Sequence, residues 1–133
     1  MIVADTNLIA YLLIAGPFSE AAQRVLDRDD QWLAPTVWHH EMLNLLATSV
    51  RAGHMPAWKA RDVWAHGPAF VRDSEVQPLD VLDLSVASKF ATFDCYYVVL
   101  ARKLGRRLVT GDKPLIEAFG DVAVSIVDFA NGK

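Results

Sequence analysis

Met1-Ile2-Val3-Ala4-Asp5-Thr6-Asn7 opens the chain, an apolar run that stops at a carboxylate. Ile2, Val3 and Ala4 show no polar alternation, which suits a strand covered on both faces in the middle of a parallel sheet. Asp5 then stands at the carboxyl end of that strand, the edge outside which ligands bind in open α/β sheets. Thr6 and Asn7 are expected to cap a helix over Leu8–Ile14. Asp is itself a favoured cap, so Asp5 reads equally as a capping residue and as a chemical group.

The 133 residues, 53% of them hydrophobic, suffice for one α/β domain over residues 1–133 with its own core. No apolar run approaches the ~20 residues needed to cross a bilayer, so no membrane partner is expected. The start has neither the basic segment nor the small-residue cleavage site of a secretory signal. A single cysteine, Cys95, forms no internal disulfide and fits a reducing compartment. These features predict a cytoplasmic protein. The net charge of −3 argues against coating nucleic acid by bulk electrostatics.

Downstream, Phe18, Ala21, Ala22, Val25 and Leu26 at helical spacing predict an amphipathic helix over Phe18–Arg28 with Ser19 as its cap. Gln31–Ala34 reads as a short strand closed by Pro35 and Thr36, followed by a helix from Val37 to Ala52 that ends at Gly53. Val37, Met42, Leu43, Leu45, Leu46 and Val50 make that helix apolar nearly all round, which predicts burial. A helix over Pro56–Val71 carries Trp58, Trp64 and Phe70, and Pro78 makes Val76–Leu79 an edge strand. Helices are expected over Val81–Phe90 and Thr92–Ala101, a strand over Arg107–Asp112, a helix from Pro114, and a last strand over Val122–Val127. Four tryptophans in so apolar a chain imply an additional hydrophobic surface for a homodimer or a bound partner.

Glu41 lies inside the apolar helix, on the face of Val37 and Leu45. A buried, unpaired carboxylate is strongly unfavourable, so Glu41 either pairs with a base such as Arg51 or Arg61 or serves a cation. Asn44, one turn on, is placed to hydrogen-bond Glu41 or its ligand. The run His39-His40-Glu41-Met42-Leu43-Asn44 misses the zinc-protease pattern His-Glu-x-x-His at Asn44, and that reading is rejected. Asp94 falls in the first turn of its helix, where the helix dipole favours an acid whatever its role. Cys95 has no histidine near it in sequence and reads as a small buried residue. Asp112 ends the strand that runs through Thr110 and Gly111. Asp5, Glu41, Asp94 and Asp112 are explicable singly, but together on one sheet edge they repel unless they hold cations.

Asp5-Thr6-Asn7, Glu41-x-x-Asn44, Phe93-Asp94-Cys95-x-Tyr97-x-x-x-Leu100-Ala101 and Thr110-Gly111-Asp112 together resemble the PIN-domain nucleases, most closely the VapC toxins of bacterial toxin–antitoxin pairs. The resemblance runs in order over essentially the whole chain. It implies a five-stranded, mainly parallel sheet flanked by helices, a metal-dependent endoribonuclease, an RNA substrate and a cognate VapB-like antitoxin. Carried over residue by residue, Asp5, Glu41, Asp94 and Asp112 are the catalytic and metal-binding quartet, with Asn7, Asn44 and Thr110 in support. Cys95 stands where the family often has alanine, and Thr110-Gly111 where Thr-Ala is frequent; neither departure touches a carboxylate. A PIN-fold nuclease of RNA processing outside a toxin system is the second reading.

The chemistry of the residues agrees with the resemblance. Carboxylates are hard oxygen ligands suited to Mg²⁺ or Mn²⁺, which lower the pKa of an attacking water and stabilise charge on a scissile phosphate. Two such ions would overturn the net charge of −3, removing the objection to RNA. Lys89, Arg102, Lys103, Arg106, Arg107 and Lys113 are candidates for phosphate contacts or simply a solvated face. A haloacid-dehalogenase type of phosphatase requires an acid where Asn7 stands. A receiver-like phosphate-accepting module finds echoes in Thr110 and Lys113 but gives no reason for Glu41 within its helix.

Overall fold

The computed structural model describes all 133 residues. Ile2–Ala4 (β1), Trp32–Pro35 (β2), Val71–Ser74 (β3), Leu108–Thr110 (β4) and Ala123–Ser125 (β5) form one parallel sheet in the order β3-β2-β1-β4-β5. β1 is fully buried at its centre, with Val3 opposite Leu33 on one side and Leu108 on the other. Because the chain leaves β1 for β2 and returns on β1's other side as β4, the strand order reverses between β1 and β4. The crevice at their carboxyl ends is where such sheets bind ligands.

Eight helices surround the sheet: α1 (Thr6–Leu13), α2 (Ser19–Arg28), α3 (Trp38–Arg51), α4 (Ala57–His66), α5 (Pro78–Ser88), α6 (Thr92–Leu104), α7 (Lys113–Ala118) and α8 (Ile126–Ala130). α6 lies against β1, β2 and β4, and α5 packs upon it. Its buried Cys95, Tyr97, Val98, Leu100 and Ala101 recur at helical spacing, so one stripe faces the sheet. It ends at Gly105, whose φ of 62° most side chains resist. α1, α2 and α8 pack together, and α3 pairs with α4. The start of α3 is fastened to the edge strand, since Trp38 Nε1–H donates to Asp73 Oδ1 at 2.7 Å and His39 Nε2 lies 2.8 Å from Asp73 Oδ2.

Several elements depart from the sequence-based expectation. α1 starts at Thr6 rather than Leu8, because Asp5 takes the capping position. Ser19 is the first residue of α2 and not its cap; its hydroxyl accepts from Gly16 N–H and donates to the Ile14 carbonyl. α3 buries only Trp38, Met42 and Leu46, while Leu43 is 47% exposed, so it is amphipathic rather than enclosed. The helix expected over Pro56–Val71 stops at His66, where Pro68 can supply no N–H to continue it, and a 3-10 turn over Gly67–Ala69 leads into β3. No strand forms at Val76–Leu79. Pro78 instead opens α5, at the helical position where a missing N–H costs least. Ser125 ends β5 early by capping α8, its hydroxyl accepting from Asp128 N–H at 3.0 Å.

Leu79, Leu82 and Val86 are exposed on α5, the last by 73%, and Phe93 is exposed on α6. No helix is long and apolar enough to cross a membrane.

Candidate active site

The crevice between β1 and β4 is closed by hydrogen bonds centred on Asp5, a residue only 7% exposed. Its Oδ1 accepts the Thr6 N–H at 2.8 Å and thereby caps α1. Its Oδ2 accepts the Thr110 hydroxyl at 2.7 Å and Asn7 Nδ2 at 3.4 Å. Both readings of Asp5 therefore hold, one for each oxygen. Thr110 also accepts from the Asp112 N–H at 3.0 Å, and Asn7 Oδ1 accepts from the Gly111 N–H at 3.0 Å. Asn7 and Thr110 thus stitch the segment after β1 to the segment after β4.

Glu41, in the first turn of α3, takes part in none of the ion pairs, so the pairing considered with Arg51 or Arg61 is absent. The buried Tyr97 hydroxyl donates to its Oε1 at 2.6 Å, and Thr6 Oγ1 lies 3.3 Å from the same oxygen and 2.5 Å from the Tyr97 oxygen. Oε2 has no protein partner. Asp94 occupies the first turn of α6, where the capping position belongs to Ala91 and the Asp94 carboxylate makes no hydrogen bond. Asp112 caps α7 by accepting the Leu115 N–H through Oδ1 at 3.2 Å, which leaves Oδ2 free.

Electrostatics join these acids into one cluster. Burial pushes the Asp5 carboxyl up to about 7, against the Thr110 hydrogen bond, and the charges of Glu41 and Asp94 push the same way. Glu41 is raised by burial and by Asp94, against its bonds from Tyr97 and Thr6, and Asp94 is raised by burial and by Asp112. Burial and the neighbouring acids also hold the Tyr97 phenol in its protonated form. No three acidic, histidine or cysteine side chains stand close enough together to hold a metal ion by themselves. Three clefts on the surface contain none of the four acids. One of them, of about 630 Å³, runs between α3 and α4.

Asn44 stands apart, exposed on α3 and not bonded to Glu41. Of the basic residues, Arg102 is committed to Asp121 and lies over the Phe119 ring, while Arg107 bonds the Lys133 carbonyl. Cys95 is fully buried, and burial raises its thiol pKa, as expected of a packing residue. Sequence reasoning assigned Thr6 and Tyr97 no place in the site. The available signal was Tyr97 itself, on the buried face one turn after Asp94, with a hydroxyl that needs a partner.

A family model described as PIN domain matches residues 2–120, a span containing all four acids. Ribonuclease VapC3 of Pyrobaculum aerophilum is 28% identical over 123 residues, covering 89% of this chain and 94% of that protein. The crystal structure of PAE2754 from Pyrobaculum aerophilum shares the fold, with a TM-score of 0.80 over 98% of this chain and 93% of that one at 19% identity. Since the family match runs from β1 to the end of α7 and the parallel sheet follows the same plan, the chain belongs to the PIN-domain family.

Proposed function

We propose that this chain is a VapC-type endoribonuclease that hydrolyses RNA phosphodiester bonds with Asp5, Glu41, Asp94 and Asp112 as its catalytic acids. The observation that carries the reading is the cluster itself: four acids around the switch point of the sheet, without a basic partner, three of them raised in pKa. Such an arrangement is unfavourable on its own and marks functional sites. It fits a divalent cation, because the donors are hard oxygens and Mg²⁺ keeps several waters rather than demanding a closed protein cage. Bound there, Mg²⁺ or Mn²⁺ supplies water activation and charge neutralisation at the phosphate.

The chain's own residues do the positioning. Thr110, Asn7 and the Thr6 amide fix Asp5, while Glu41 Oε2, both Asp94 oxygens and Asp112 Oδ2 remain free for a ligand. Asn44 enters as an exposed hydrogen-bonding group one turn beyond Glu41. The name of the ribonuclease VapC3 relative supports a toxin whose partner is a VapB-like antitoxin, and an RNA substrate suits work in the cytoplasm. The exposed stripe of Leu79, Leu82 and Val86 supports a homodimer.

The test is cleavage of structured RNA by purified protein with Mg²⁺, with Mn²⁺ and with excess EDTA. Metal-dependent products ending in 5′-phosphate and 3′-hydroxyl are expected, with Asp94→Asn inactive. Cleavage that persists in EDTA, or 2′,3′-cyclic phosphate ends, overturns the reading.

A further inference from the structure

We propose that Tyr97 is a positioning residue: with Thr6 it forms a one-way hydrogen-bond chain that ends on Glu41 Oε1 and turns Oε2 to the acid cluster. The inference rests on the reading of Glu41 as a site acid.

Proton counting sets the direction of the chain. An ionised carboxylate only accepts, and a phenol has a single proton to give. The Tyr97 proton therefore lies on the 2.6 Å bond to Glu41, a length typical of a hydroxyl donating to a carboxylate. Tyr97 then has only lone pairs to offer Thr6, so the 2.5 Å contact between the two hydroxyls has Thr6 as donor. With its proton used there, Thr6 makes no more than a secondary contact with Glu41 at 3.3 Å. The order is Thr6 to Tyr97 to Glu41.

The chain joins three elements that each bring one acid. Thr6 follows Asp5 at the start of α1, Glu41 lies on α3, and Tyr97 lies on α6 one turn after Asp94. The Tyr97 ring, 1% exposed, belongs to the hydrophobic core, and a phenylalanine would fill that space equally well. Its hydroxyl adds something packing does not need: it holds a flexible three-torsion side chain in one orientation. Partners that orient a ligating carboxylate are typically worth 10–100-fold in metal affinity or activity when removed.

The experiment compares Tyr97→Phe, Thr6→Val, Thr6→Ser, Glu41→Gln and the double variant Tyr97→Phe/Glu41→Gln with the parent. Mn²⁺ binding is measured by titration calorimetry, cleavage of total transfer RNA gives kcat and KM, and thermal melts report folding. For Tyr97→Phe we expect roughly 10–100-fold losses in Mn²⁺ affinity and kcat with KM unchanged, and Thr6→Ser should stay near the parent. In the Glu41→Gln background, Tyr97→Phe should add no further loss, because the hydroxyl acts only through Glu41. Should Tyr97→Phe fail to fold, Thr6→Val removes the donor that holds the Tyr97 hydroxyl from its other end, and losses in the same direction but smaller are expected, with parent-like values overturning the role. Parent-like Mn²⁺ affinity and kcat in Tyr97→Phe, while Glu41→Gln is inactive, overturn the positioning role alone, as does a full additional loss in the double variant. Parent-like Mn²⁺ binding and cleavage by Glu41→Gln overturn the assignment of Glu41, and the positioning role with it.

Discussion

Asp5→Asn should make the metal-free protein more stable at pH 8 and less stable at pH 4. Asp5 has its pKa raised from 3.8 to about 7 in the folded state. A raised acid holds its proton more tightly folded than unfolded. Its stabilising contribution is therefore complete below 3.8, declines as pH rises, and is gone above about 7. At about 1.4 kcal/mol for each pH unit, the loss is on the order of 4 kcal/mol. Asparagine cannot ionise and escapes that loss. Its amide oxygen still accepts the Thr6 N–H, but its NH₂ would face the Thr110 hydroxyl that now donates to Oδ2, a mismatch of about 1 kcal/mol. The net gain at pH 8 is about 3 kcal/mol, or roughly 10 °C in Tm for a chain of this size. At pH 4 most of that loss has yet to occur, so the mismatch prevails and the sign reverses. Melts of both proteins in EDTA from pH 4 to 8 decide the matter, and comparing the pair cancels acid effects elsewhere. A variant that melts below the parent by the same margin at every pH would refute the reasoning. Added Mg²⁺ should then stabilise the parent, by about 2.7 kcal/mol at 100 times its dissociation constant, and the variant less.

Gly111→Ala should stabilise the fold by roughly 0.4–1 kcal/mol in urea unfolding, by restricting the unfolded chain. A Cβ there would meet Ile126 and Tyr11 at 3.5 Å and Asn7 at 3.6 Å, all ordinary contacts, and a loss of stability would show that the turn tolerates no side chain. Cys95, buried and with its thiol pKa raised, should resist a maleimide in the native protein and react in urea; rapid native labelling would contradict its packing role.

What was legible in the sequence depended on whether an element's neighbours left a mark on it. β1 and β4 lie inside the sheet, so their apolar runs and the polar residues that end them were unmistakable. β3 lies on the edge, and its Val-Arg-Asp-Ser sequence buries only Val71, so no apolar signal announced it. In sequence Pro78 reads as an edge-strand residue, whereas its other favoured place is the first position of a helix, which it takes here. The periodicity of α3 showed an apolar surface but not how much of it would be covered. The acids stand out in the sequence because Asp5, Asp94 and Asp112 each fall at the end of a recognisable element and Glu41 interrupts an apolar helix. The bond from Tyr97 to Glu41 spans 56 residues and depends on two helices meeting, which no local pattern encodes.

The placement of the acids has a common physical origin. Asp5 and Asp112 cap α1 and α7, and Glu41 and Asp94 lie in the first turns of α3 and α6. Each acid therefore meets the positive end of a helix, and in a parallel sheet the strand ends and the helix starts tend to share one edge. This offsets part of the repulsion, but only part: a helix terminus stabilises an anion by typically 0.3–1 kcal/mol and at most ~2 kcal/mol. The shift of Asp5 alone corresponds to about 4 kcal/mol. The fold can thus gather four carboxylates without being able to neutralise them. The deficit is left at their free oxygens, at the switch point of the sheet, where a divalent cation and the phosphate it accompanies would relieve it.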